Sequence, residues 1–320
     1  MRLLYLSHGA EETGGYLHEK QFSQILANSL GASMDEVRYR RHFSGLWQWF
    51  RLAFKAWRDA RSADTIVTVA RLAWPVWWRI RSRKARLLLV LHNHDPQDGK
   101  PALYHRLLRL FLQRVALRYP ERIAAVVVGR YWQEYFQKAF GVNAFLFPNL
   151  FPEEPYARIR QEAVKEEKTI HLGQWSDKVD KTAFAQLIGL LEPHGFACYF
   201  SSPVPVQAEG FPVRVFDTHK AYLQAMANAR ATVILNRVAE GWSRVAHESV
   251  LCGTVLLAKP LGGIAELMEH AAAHAVPDAD AVLSALLAND LPMHASPEGL
   301  KAFDLDQTDT YLQPIVSWLK

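Results

Sequence analysis

Short apolar runs alternate with segments of helical length along the chain, and this rhythm restricts the fold more than any single residue does. LLYLS (3–7), TIVTV (65–69), LLLVL (87–91), IAAVVV (123–128) and AFLF (144–147) are apolar at nearly every position, the pattern of parallel strands covered on both faces. Helical patterns at 17–30, 44–62, 102–118 and 131–139 lie between them. That alternation predicts a doubly wound α/β domain. PNLFPEEP (148–155) interrupts it with three prolines, and a charged stretch follows to Lys168.

The rhythm then restarts. TIHLG (169–173), ACYF (197–200), VRVF (213–216), TVILN (232–236) and TVLLA (254–258) read as strands, with helices at 179–192, 218–228, 242–251 and 279–288. The expected architecture is two Rossmann-like domains facing across a cleft. Their bounds are 1–152 and 168–300, joined by a linker at 153–167. In the tail, 301–320, YLQPIVSWLK reads as a helix returning to the first domain. Open parallel sheets bind ligands beyond the carboxyl ends of their strands. The loops there carry His8, Gly14, Gly15, His92, His94, Asn149, Gly173, Arg237, Glu240 and Gly262.

At 320 residues the chain suffices for two domains with separate cores. The N-terminal apolar run ends at Glu11 and Glu12, too early for a signal peptide, and no run approaches the ~18 apolar residues of a membrane span. Cys198 and Cys252 are the only cysteines and lie in apolar segments, which predicts two buried thiols, no disulfide framework and a cytoplasmic protein. The net charge of +5 is unevenly spread. Between Arg38 and Arg86 there are 13 Lys and Arg against two acids, so the rest of the chain is net −6 (5 minus 11). The same span holds six of the ten tryptophans. In it Leu46, Phe50, Phe54 and Trp57 recur at helical spacing beside Arg51, Lys55, Arg58 and Arg61, and Trp77, Trp78, Arg79, Arg81, Arg83 and Lys84 follow. One reading is contact between 44–86 and an anionic membrane surface, which would make the protein peripheral at the inner face. The other is an ordinary core-facing apolar stripe. No nucleic-acid module accompanies the basic residues, so nucleic acid is not expected.

In AEGWSRVAHESVLCG (239–253), Glu240 and Glu248 stand eight positions apart. One helix could carry both, or Glu240 could lie in a loop and Glu248 on the helix after it. The strand pattern before Asn236 and the helical pattern after Trp242 favour the second. With Gly262-Gly263-Ile264-Ala265-Glu266, the elements Glu240-Gly241-Trp242-Ser243, Glu248 and Cys252-Gly253 resemble the donor half of retaining GT-B glycosyltransferases of glycosyltransferase family 4. That resemblance implies a GT-B fold, a nucleotide-sugar donor, a glycan or lipid-linked acceptor and no cofactor or required metal. It implies that Glu248 holds the ribose and that Glu240 stabilises positive charge near the anomeric carbon. Gly241 and Ser243 would let backbone N–H groups approach phosphate oxygens at a helix N-terminus, with Trp242 also binding the donor.

The family has Gly-Arg after the first strand of this domain and a Lys soon afterwards. Here Gly173 is followed by Gln174, with Lys178 and Lys181 straddling the lysine position. Arg237 and Arg244 flank Glu240 and are the candidates to replace the missing guanidinium. In the first domain Gly14-Gly15 matches the family's Gly-Gly loop. His92, with His94 as its rival, matches a histidine that hydrogen-bonds the donor sugar. Pro148-Asn149 matches its hinge. PDAD (277–280) reads as a helix start rather than a metal pair. The expected activity is hexosyl transfer in cell-surface polysaccharide or glycolipid synthesis. The rival expectations are a non-catalytic membrane-associated binding protein and a sugar-nucleotide epimerase of similar architecture.

Overall fold

The apolar runs of the N-terminal half become the central strands of a six-stranded parallel sheet. In the computed structural model, which describes residues 1–7, 14–39, 46–92, 102–208, 210–288 and 291–320, this part contains β1 (Arg2–Ser7), α1 (Gly14–Ser29), β2 (Ser33–Arg38), α2 (Leu46–Asp59), β3 (Thr65–Val69), α3 (Ala73–Ile80), β4 (Arg86–Leu91), α4 (Ala102–Phe111), β5 (Ile123–Val127), α5 (Arg130–Phe140) and β6 (Ala144–Leu146). The strand order is β2-β1-β3-β4-β5-β6. Leu4 pairs with Ile66, Ile66 with Leu87 and Leu87 with Ile123, so the apolar runs stack in register. Right-handed crossovers put α2 to α5 on one face and α1 on the other. Contacts of α3 with both α2 and α4 agree with this.

The second half contains α6 (Tyr156–Glu162), β7 (Glu166–Gln174), α7 (Lys181–Leu191), β8 (Ala197–Ser202), β9 (Val213–Val215), α8 (His219–Asn228), β10 (Ala229–Ile234), α9 (Arg244–Leu251), β11 (Val255–Ala258), α10 (Gly263–His270), β12 (Ala273–Ala275), α11 (Ala279–Leu287) and finally α12 (Thr308–Leu319). Its sheet is also six-stranded and parallel, in the order β12-β11-β10-β7-β8-β9. One face packs Ile170, Leu172, Val233 and Leu257 against Phe184 and Leu187 of α7 and Val282 of α11. Each such buried side chain contributes about 1.5–3 kcal/mol of transfer free energy. The alternate residues of β7 point the other way. There His171 is fully buried, with Nδ1 3.2 Å from Thr232 Oγ1 and Nε2 3.1 Å from Ser201 Oγ. Burial pushes its imidazole down to about 3.

The chain forms two units, Met1–Asn149 with Thr308–Lys320, and Leu150–Gln307. The stretch 153–167 is not a linker. It carries α6 and the start of β7, and Tyr156 and Ile159 bury into the second unit against α8 and α9. The last helix, α12, belongs to the first unit: Trp318 Nε1 donates to the Pro120 carbonyl at 3.0 Å, and Arg86 donates to the Leu319 carbonyl. Besides α6, the elements β2, α3 and β12 carry no sequence signal of the kind used above. β2 and β12 are sheet edges with little to bury, and α3 lies within the basic, Trp-rich stretch.

The aromatic stripe of that stretch faces outward. Leu52 and Ala56 are the buried side of α2, whereas Phe50, Phe54 and Trp57 are 53%, 64% and 37% exposed. The core-facing reading therefore fails for these residues. It holds for Trp77, which is buried between the Tyr119 ring and the Arg122 guanidinium, whereas Trp78 is exposed. On the neighbouring α4 the exposed Leu103, Leu107 and Leu110 alternate with the exposed Arg106 and Arg109. Among the described residues no helix is long and apolar enough to cross a membrane.

Candidate functional site

In the second sheet the strand order reverses between β7 and β10: β7 leads on to β8 on one side, β10 to β11 on the other. Chains leaving the carboxyl ends of two such strands diverge and open a crevice. Gly173, at φ 78°, turns the end of β7, and its carbonyl accepts from Ser201 Oγ at 3.2 Å. The loop that follows is stitched to the loop after β10. Val179 bridges Asn236, the Arg237 amide donates to the Lys178 carbonyl at 3.1 Å, and the Asp180 amide donates to the Leu235 carbonyl at 3.1 Å. This brings Lys178 Nζ to 3.2 Å from Glu240 Oε1. The Glu240 side chain is 12% exposed and that of Lys178 43%. Beside them a cleft of about 460 Å³ is lined by Trp175, Asp177, Lys181, Thr182, Gln207 and Arg237, among others. Lys181 lies over the Trp175 ring at 5.6 Å, and Arg237 donates to the Asp177 carbonyl.

Two glycines fix Glu240. It bridges Gly262, and the Gly263 amide donates to the Glu240 carbonyl at 3.0 Å. A Cβ on Gly262 would stand 2.5 Å from that carbonyl, and one on Gly263 would stand 1.9 Å from the Gly241 carbonyl. Only glycine lets the start of α10 approach the loop this closely.

Glu240 is therefore in a loop and Glu248 on α9. The Glu248 side chain is 5% exposed, and its Oε1 is the meeting point of three donors. Arg244 Nη2 donates from 3.2 Å, Tyr156 OH from 3.3 Å and His219 Nε2 from 3.3 Å. A carboxylate accepts only, so His219 must donate here. Its other oxygen, Oε2, carries none of these three bonds. Burial, followed by the charge of Glu248, raises the Tyr156 phenol well above its ordinary range.

Several of these side chains have partners within the unit. Arg244 is held between Glu248 and the Phe151 ring, 4.6 Å away. Of the two arginines, Arg237 is the one lining the cleft. The Trp242 ring turns into the unit, packs on Phe303 at 4.8 Å and donates from Nε1 to His247 Nδ1 at 3.1 Å. Its side chain is thus structural. Ser243 caps α9, its hydroxyl accepting from the Ala246 amide, and Gly241 is buried against Gly263. His247 is itself buried, and desolvation with the nearby Arg244 lowers it to about 3.

In the first unit, Gly14 opens α1 and Gly15 lies against His92, where an added Cβ would be 3.3 Å from His92 Nε2. His92 follows β4, and its Nε2 is 3.0 Å from Glu19 Oε1. Glu19 Oε2 accepts from Tyr5 OH at 3.0 Å, and the His18 ring meets His92 edge-on at 5.4 Å. Glu19, Tyr5 and His18 stand outside the sequence motifs above; the one signal for them is a His-Glu pair one turn into a helix that begins Gly-Gly. His8 and His94 lie outside the described residues. Among those residues no group of three or more His, Cys, Asp or Glu is placed to hold a metal ion. Asp278 of PDAD caps α11, accepting from the Ala281 amide at 2.9 Å.

No family model and no curated protein matches the chain by sequence. Solved structures do match. A crystal structure of Anabaena HepE in complex with UDP and glucose superposes with a TM-score of 0.70, 15% identity, and coverage of 100% of this chain and 99% of that one. The fold is that of the GT-B glycosyltransferases. A glycosyltransferase from Rickettsia africae matches with a TM-score of 0.66 and 10% identity over 100% of this chain and 97% of its own. WaaG, a glycosyltransferase involved in lipopolysaccharide biosynthesis, matches with 0.64 and 14% over 99% and 98%.

Proposed function

We propose that the protein is a retaining glycosyltransferase that moves a sugar from a nucleotide-sugar to a glycan or lipid-linked acceptor. The observation that carries this reading is the crevice at the β7–β10 reversal: Glu240 with Lys178 beside it, and Glu248 on the next helix. The HepE and LpCGTa structures that share the fold hold UDP, which favours a uridine nucleotide here. Glu248 Oε2 accepts the ribose hydroxyls while Oε1 stays tied to Arg244, Tyr156 and His219. Lys178, Lys181 and Arg237 meet the diphosphate. As the bond from the anomeric carbon to the phosphate oxygen breaks, its electron pair leaves on the phosphate, the acceptor hydroxyl oxygen bonds to that carbon, and the hydroxyl proton passes to the departing phosphate oxygen. Glu240 then faces the positive charge developing on the sugar. Fixed charges aimed at a transition state are the main source of such rate enhancement. Calorimetry with UDP tests the ribose role. Glu248→Gln is expected to weaken binding about 10- to 100-fold, the loss of charge-assisted hydrogen bonds. Unchanged affinity would remove Glu248 from the site.

The first unit supports a peripheral place at an anionic membrane. Phe50, Phe54, Trp57 and Trp78 project beside the exposed Arg51, Lys55, Arg58, Arg61, Arg81 and Lys84. The stripe on α4 extends that surface. Apolar rings entering the headgroup boundary and cations worth roughly 1 kcal/mol each would hold the protein there. Sedimentation with vesicles checks it. Binding to phosphatidylglycerol-containing vesicles is expected, with at least tenfold loss in a Phe54→Ser, Trp78→Ser variant, since each ring buries about 1.5–3 kcal/mol. Equal binding by the variant would contradict it.

A further inference from the structure

We infer that Glu19 is a positioning residue that makes His92 a hydrogen-bond acceptor for a substrate hydroxyl. This rests on the glycosyltransferase reading for the identity of that hydroxyl, but the arrangement itself is a matter of hydrogen-bond chemistry. A carboxylate has no proton to give, so in the 3.0 Å contact between His92 Nε2 and Glu19 Oε1 the ring must be the donor. A neutral imidazole that carries its proton on Nε2 presents a lone pair at Nδ1. Nδ1 carries none of the bonds described above. In that neutral form the group that meets Nδ1 is a donor. Sugar hydroxyls qualify, and the oxygens of an ionised diphosphate do not.

The ring is held on more than one side. Glu19 is only 9% exposed on its side chain, and its second oxygen is occupied by Tyr5 OH, so the carboxylate cannot swing away from the imidazole without losing both partners. Tyr5 is itself fully buried in β1. Gly15 lies flush against the Nε2 edge, where even a methyl group would crowd the contact. His18, anchored 2.8 Å from the Phe147 carbonyl, supports the ring edge-on. With the His92 side chain 30% exposed, the imidazole is reachable from solvent. A base set by a carboxylate on one nitrogen while the other meets the reactant is a recurring way to fix tautomer and orientation. Gly15, His18 and Glu19 all come from α1, so the first turns of that helix form the cradle of the ring.

The test replaces Glu19 by Gln. Tyr5 OH is expected to keep the carboxamide oxygen, which leaves the NH2 group facing Nε2 and drives the proton to Nδ1. Nitrogen-15 NMR of the histidine rings reads this directly: the Nε2–H form in wild type, the Nδ1–H form in Glu19→Gln. With a sugar donor and acceptor, Glu19→Gln should lower kcat/KM at least tenfold, close to the loss in His92→Ala. The double variant should be no worse than His92→Ala, because a residue acting through His92 has nothing left to act on. Tyr5→Phe should lose less. An Nδ1–H ring in wild type, an unchanged ring form in Glu19→Gln, or losses that add in the double variant would overturn the inference. If the wild type transfers no sugar, the glycosyltransferase reading fails, while the ring spectra still decide the role of Glu19.

Discussion

Glu240→Ala is expected to lower kcat for sugar transfer by about 10²- to 10³-fold, the usual loss when one fixed electrostatic partner of a transition state is removed. The fold should survive. Glu240 sits in a loop whose path is fixed by backbone contacts to Gly262 and Gly263, and those contacts do not use the carboxylate. Its ion pair with the half-exposed Lys178 is worth only about 0.2–1 kcal/mol to stability, and the ammonium can turn to water when the pair is lost. UDP affinity should fall little, since Glu248 is unaffected. A rate within twofold of wild type, in a protein that still binds UDP, would remove Glu240 from the chemistry.

Acidification should destabilise the second unit well before its carboxylates titrate. His171 and His247 are buried and neutral, each lowered from the ordinary 6.5 to about 3, His171 by burial and His247 by burial and then Arg244. In the unfolded chain both regain the ordinary value. Between pH 6.5 and 3 the unfolded state therefore binds more protons than the folded one, so stability is full above pH 6.5 and falls as pH drops through that window. At pH 5 each histidine accounts for roughly 2 kcal/mol, and the pair for about 4 kcal/mol, at 1.36 kcal/mol for each pH unit below 6.5. Domain stabilities of about 5–15 kcal/mol make that a large share. Urea unfolding at pH 7.5 and pH 5.0 measures it. His171→Gln, whatever its absolute stability, should remove about half of the difference. A midpoint that does not move between the two pH values would show that these rings are already charged, or reachable by water, in the folded unit.

Where a segment is buried on both sides, the sequence announces it. Strands β1, β3, β4, β5, β7, β10 and β11 fill the middle of the two sheets, and their unbroken apolar runs are the consequence. β2, with Ser33 and Glu36 exposed, and the three-residue β12 sit at sheet edges and bury none of their residues, so no apolar run announces them. Residues 153–167 differ for another reason: Pro155 and the charges around it flank a helix whose buried side is only Tyr156 and Ile159.

The site divides in the same way. The spacing of Glu240, Glu248 and Gly262-Gly263 is legible because each is tied to a short local element: a loop, a helix, a helix start. Partnerships between distant elements are not. Nothing in the chain announces that Tyr156 and His219 would turn to Glu248, or that Trp242 would bury its ring on Phe303. The link from Glu19 to His92 spans 73 positions and exists only once α1 and β4 lie beside one another. The outward aromatic stripe of α2 is the mirror case. Helical spacing reveals a stripe but not which side of the helix meets the sheet, and Leu52 and Ala56 decide that.

The most direct measurement is nucleotide release from a panel of nucleotide-sugars, with and without a lipid-linked glycan fraction as acceptor, for wild type and Glu240→Ala side by side. The expected result is acceptor-dependent release of UDP from at least one UDP-sugar by wild type, reduced at least a hundredfold in the variant, with the newly formed glycosidic bond keeping its anomeric configuration. Absence of nucleotide release from every sugar donor, together with no measurable UDP binding, would contradict the account. Acceptor-independent conversion of one UDP-sugar into its epimer would replace it with a different enzyme on the same fold.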